Sequence, residues 1–158
     1  MASASSSRNQ ATARRNRANE PTMVKIDIQY TGQLHCDAQH GPSGAQVSTD
    51  APVDNNGKGE AFSPTDLVAT ALGTCLITVM GIVAEKKGVD LGDTSASVLK
   101  EMSADLPRRI AKLTIEIVVP LPADHPERAA LEAAALNCPV YHSVHADLEK
   151  AVSFRWVG

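Results

Sequence analysis

Residues 63–88 read SPTDLVATALGTCLITVMGIVAEKKG, and this stretch decides the fold. Ser63 is a helix-capping residue type, Pro64 suits a first helical position, and Asp66 falls at the third, where a carboxylate can reach back to the cap. Lys86 and Lys87 complement the negative end of a helix, and Gly88 supplies the left-handed residue that stops one. The spacing predicts one long helix over 64–87. From Leu67 to Ala84 it carries 18 residues without a charge, close to the minimum for crossing a bilayer. Thr70, Gly73, Thr74, Thr78 and Gly81 interrupt that run, so a central helix buried in a soluble dimer is expected rather than a membrane span.

Working outward, residues 24–30 (VKIDIQY) place Val24, Ile26 and Ile28 on one face of a strand. Strands over 34–40 and 45–49 follow after Thr31-Gly32 and the Gly41-Pro42-Ser43-Gly44 turn, which makes a three-stranded meander. Residues 50–62 form a polar loop suited to an active site or a dimer contact. Beyond the helix, strands are expected over 94–103 and 111–119, the second alternating Leu113, Ile115 and Ile117 with polar neighbours. A helix over 126–136, a short helix opened by Pro139, and a strand over 151–157 complete the order βββ-α-ββ-αα-β. Strands and helices come in runs, so the class is α+β with a largely antiparallel sheet. Residues 1–22 read as a flexible arginine-bearing tail and 23–158 as a single domain.

Composition narrows the function. The net charge is −3, but Arg8, Arg14, Arg15 and Arg17 all lie in the first 19 residues, leaving 11 basic against 18 acidic residues elsewhere. An acidic body with 3% aromatics offers neither a phosphate-binding surface nor a base-stacking platform, so no nucleic-acid partner is expected. Three unevenly spaced cysteines do not form a secreted disulfide framework, and a reducing cytoplasm is the expected compartment. GxSxG, P-loop, GxGxxG and HExxH patterns are absent.

The remaining chemistry lies in thiols. Cys75 sits near the middle of the long helix, flanked by Val68, Ala71, Leu72, Val79 and Ile82. It reads either as a small buried hydrophobe or as a redox group. Cys138, in LNCPVYHS, lies between a helix end and Pro139 and reads either as a helix N-cap, where free amides and the helix dipole favour a thiolate, or as an unreactive tight-turn residue. The first reading makes Cys138 the more acidic of the two by position. Cys36 falls in a strand and reads as structural. His142 and His145 follow Cys138 at +4 and +7; the three could ligate a metal, but the spacing is no zinc signature and surface histidines are the simpler reading.

SPTDLVATALGTC, followed by CPVYHSV with the two cysteines 63 positions apart, resembles the OsmC/Ohr superfamily of osmotically inducible proteins and organic hydroperoxide reductases. The resemblance spans about residues 24–157. It implies an OsmC-like fold, an intertwined homodimer with two central helices at its middle, and thiol-dependent reduction of hydroperoxides. In that scheme Cys75 matches the peroxidatic cysteine and Cys138 the resolving one, an external dithiol restores both, and no metal or other cofactor takes part. Reductases of the superfamily also use an Arg from the early strands and a Glu ten residues before the first cysteine. Here that position is Thr65, and residues 24–52 contain no Arg; Glu60, Arg108 and Arg109 are the available substitutes. This departure marks a divergent branch and keeps a second expectation open, a non-catalytic or ligand-binding stress protein on the same fold.

Overall fold

The computed structural model describes residues 23–158; the expected tail, 1–22, lies outside the described residues. Two compact units are present, the first ending at Ser48 and the second spanning Thr49–Gly158.

In the first unit β1 (Ile26–Gly32) and β2 (His35–His40) pair antiparallel, and the sheet order is β1-β2-β3 with β3 (Gln46–Asp50) running on into the second unit. This is the expected meander. Gln33 and Leu34 both take positive φ, 52° and 64°, the geometry that lets a two-residue turn match strand twist. The register sets Tyr30 opposite Cys36 and Ile28 opposite Ala38. Ile26, Ile28 and Tyr30 share a strand face, and each is more than half exposed.

The second unit holds a short 3-10 turn (Val53–Asn55), α1 (Pro64–Lys87), β4 (Ser95–Met102), β5 (Ile110–Val119), α2 (Arg128–Leu136), α3 (Pro139–Ser143) and β6 (Glu149–Trp156). The helix start works as the sequence predicts. The Ser63 N–H donates to the Asp66 carboxylate at 2.8 Å, and the Asp66 N–H donates to Ser63 Oγ at 3.2 Å. At the other end Gly88 takes φ +69° and its N–H closes on the Ala84 and Glu85 carbonyls. That left-handed geometry is one a β-carbon disfavours.

The second sheet runs β4-β5-β6. β4 and β5 are antiparallel, while β5 and β6 are parallel. A parallel neighbour needs a crossover rather than a hairpin, and the segment carrying α2 and α3 is that crossover. The α+β class stands, with this one parallel pair as the added detail.

The core follows the alternation of β5. Leu113, Ile115, Ile117 and Val119 are fully buried, as are Leu72, Leu76 and Met80 of α1, Leu131 and Ala135 of α2, and Cys138. Truncating one such Leu or Met to Ala typically costs about 2–5 kcal/mol. Gly73 sets how closely α1 lies on β4: a β-carbon there would come within 2.9 Å of Val98 Cγ2. The opposite side of α1 is different. Ala71, Thr74, Thr78 and Ile82 are exposed and uncharged, at helical spacing that makes them one stripe. By length and composition α1 could cross a membrane, yet 33% of its most apolar window is buried inside the chain.

Candidate functional site

Two elements of the second unit bring the motif cysteines together. α1 presents Cys75 partly buried, against the core cluster that contains Cys138. α2 ends at Leu136, and the Cys138 N–H then donates to the Ala135 carbonyl at 3.1 Å. Pro139 forces Cys138 into an extended conformation and opens α3 as its first residue. Cys138 is thus the N-cap, and its Sγ accepts the Tyr141 N–H at 3.3 Å. The Cys75 side chain packs against the core cluster that contains Cys138 and is among the groups that raise the Cys138 pKa. All three described cysteines are free thiols. Two neighbouring thiols can be joined by a two-electron oxidation and parted again by thiol exchange.

The expectation that Cys138 is the more acidic thiol is overturned. Burial comes first among the causes and pushes its pKa above the ordinary value; the Tyr141 N–H offsets part of this, and Cys75 raises it further by hydrogen bonding and like-charge repulsion. The cap is real, but Cys138 has no exposed surface, and loss of hydration of the charged form outweighs a short helix's amides. Cys138 is therefore neutral at pH 7. Cys36 lies on β2 opposite Tyr30, in the first unit.

The two histidines do not join Cys138. His142 Nε2 meets Asn137 Oδ1 at 3.3 Å, and His145 lies beside Asp147 at 3.7 Å. Among the described residues no three potential ligands gather around a common point.

Of the candidate substitutes for an activating Arg and Glu, both arginines are paired with other carboxylates. Arg108 pairs with Asp54 at 2.8 Å. Arg109 pairs with Asp105 at 3.1 Å, and its bond holds that carboxyl below the usual range. Arg109 also lines a cleft of about 730 Å³ with Val68, Leu106, Ile110, Val144 and Leu148. Glu60 donates its backbone N–H to the buried Asp50 carboxylate at 3.0 Å.

Sequence reasoning missed Lys100. Its Nζ meets Asp66 at 2.6 Å and the Thr65 hydroxyl at 2.8 Å. Thr65 is the position where the superfamily pattern has Glu, so here it answers to a lysine. Lys100, Asp66 and Glu60 stand in a groove of about 670 Å³ between α1 and β4, floored by Gly73, Ile77 and Val98. The signal was present: Val98, Lys100 and Met102 share the inward side of β4, and a lysine in that series requires an anionic partner.

Comparison with known proteins bears on the family and the fold. The family model for OsmC-like proteins matches residues 57–151. The crystal structure of a Psychrobacter arcticus protein assigned to osmotic stress induction and detoxification is 41% identical, with a TM-score of 0.79, covering 87% of this chain and 99% of that one. An organic hydroperoxide resistance protein, OsmC, from Legionella pneumophila shares 17% identity at TM-score 0.70, covering 87% and 99%. A Vibrio cholerae structure assigned as an organic hydroperoxide resistance protein, with captopril in one of its active sites, shares 17% at TM-score 0.68, covering 86% and 94%. No match is found among curated proteins. The fold is the OsmC-like fold. The chain belongs to the OsmC family.

Proposed function

We propose that the chain is a thiol-dependent hydroperoxide reductase that cycles between two thiols and a Cys75–Cys138 disulfide. The observation that carries this reading is that folding packs Cys75 against the buried cluster that holds Cys138, although 63 residues separate the two along the chain. The Cys75 thiolate attacks the outer oxygen of ROOH; the O–O bond breaks, ROH leaves with a proton, and Cys75 becomes a sulfenic acid. The Cys138 sulfur then attacks Cys75, water departs, and the disulfide forms. Two electrons leave the thiol pair and reduce one peroxide. An external dithiol returns them.

Two features support Cys75 as the first to react. It is the partly exposed member of the pair, and Cys138 holds its proton at pH 7. A buried, protonated thiol is a poor first nucleophile but sits well to trap a sulfenic acid on its neighbour. The protein works as a homodimer in the cytoplasm in this reading. The exposed, uncharged stripe of α1 is the face a second copy would cover.

A second reading is a ligand-binding stress protein. It is favoured by the groove between α1 and β4, which is of small-molecule size, and by the pairing of Arg108 and Arg109 with other carboxylates among the described residues.

One equivalent of cumene hydroperoxide decides between them. The first reading expects two of three thiols lost per chain, restored by dithiothreitol, with Cys75→Ser abolishing peroxide consumption and Cys138→Ser leaving a sulfenic acid that dimedone traps. Three thiols retained and peroxide unconsumed would leave only the second.

A further inference from the structure

Resting on the two-cysteine cycle, the structure also bears on how the disulfide is reopened. A reducing thiol must attack one of two sulfurs and expel the other, and the two sites differ. Cys138 is fully buried, whereas Cys75 is partly exposed. Their backbones differ as well. Mid-helix at Cys75, the nearby amides are spent on carbonyls one turn back. At Cys138 the helix is only beginning: Pro139 has no N–H, and the Tyr141 amide donates to the Cys138 sulfur at 3.3 Å. The Cys138 sulfur therefore has a backbone donor ready for negative charge, and it is the buried sulfur of the two.

We propose that the reducing dithiol attacks Sγ of Cys75, and that the Tyr141 amide receives Cys138 as the departing thiolate. The incoming thiolate forms a mixed disulfide with Cys75. The Cys75–Cys138 bond breaks, its electron pair goes to Cys138 Sγ, and Cys138 takes a proton. The second sulfur of the dithiol then attacks the first, closing its own disulfide and releasing Cys75. Tyr141 is a positioning residue that acts through its main chain. Burial makes the Cys138 thiolate costly, and this amide offsets part of that cost at the moment of bond cleavage.

Full-length protein oxidised with diamide provides the substrate, whether or not a peroxide is the natural oxidant. It is treated briefly with limiting glutathione, quenched in acid, alkylated and mapped by peptide mass spectrometry. Glutathione on Cys75 with the alkyl label on Cys138, in about tenfold or greater excess over the reverse, is expected. Equal or reversed labelling overturns the proposal. A second measurement reads the amide: in Cys75→Ser protein, the Tyr141 amide proton resonance should move downfield as Cys138 ionises, and an unmoved resonance removes its role. If diamide fails to join the cysteines, this proposal and the redox cycle fall together. If it joins them but peroxide is not consumed, the choice of oxidant is wrong while the direction of attack still stands.

Discussion

At Cys138 two opposing effects meet on one sulfur, and their relative size decides the chemistry. A capping amide lowers a thiol pKa, full burial raises it, and here burial prevails. Because the folded value lies above the ordinary 9.0, the folded state holds the proton more tightly. Stability from this group is complete below the ordinary value and is lost as pH rises through the folded one. Thiolate absorbance should show it: the amplitude that disappears in Cys138→Ser protein is expected above pH 9, and an amplitude centred near pH 7 would contradict the burial argument. The capping position of Cys138 was readable from Pro139 as one of two alternatives. Its acidity was not, because burial is a property of the whole core and LNCPVYHS does not reveal that the sulfur is enclosed. For the same reason Lys100 escaped notice. Its partners Thr65 and Asp66 lie 34 or more positions earlier in the sequence, and only the packing of β4 on α1 unites them.

At the level of elements, α1 was the most legible, since its stop and start are written in local residues: Ser63, Pro64, Asp66 and Gly88. β5 was legible for a similar reason, as strict alternation names its inward face. The parallel pairing of β6 was not, because strand direction depends on how the α2–α3 crossover returns. Asp66 serves the cap and Lys100 at once. Burial pushes its carboxyl up, but the bonds from Lys100 and Ser63 pull harder, so it stays below the ordinary 3.8. Stability from a depressed carboxyl is fully present above its unfolded value and lost as pH falls through the folded one. Asp66→Asn is therefore expected to cost about 1 kcal/mol at pH 7, with the difference from wild type shrinking below pH 4. Urea midpoints at pH 7 and pH 3 measure this, and a gap that stays constant across the two would refute it.

On the scale of the whole molecule, the stripe of α1 is exposed and uncharged, and Ile26, Ile28 and Tyr30 of β1 are more than half exposed; such faces suit burial against a second copy. The homodimer reading makes a direct prediction. Thr78→Lys places a charge in the middle of the stripe, and light scattering should find the wild type dimeric and the variant monomeric. A dimer that survives the lysine would put the interface elsewhere. The parallel β5–β6 pair has a consequence for the nascent chain. β5 cannot gain that neighbour until the crossover and β6 have both been synthesised, and Cys138 travels on the crossover. While residues 76–138 are being added, Cys75 is thus a thiol without its companion, so an oxidant arriving then would drive it past the sulfenic stage toward irreversible acids. Damage to this protein under stress should accordingly concentrate in newly made copies rather than in finished ones.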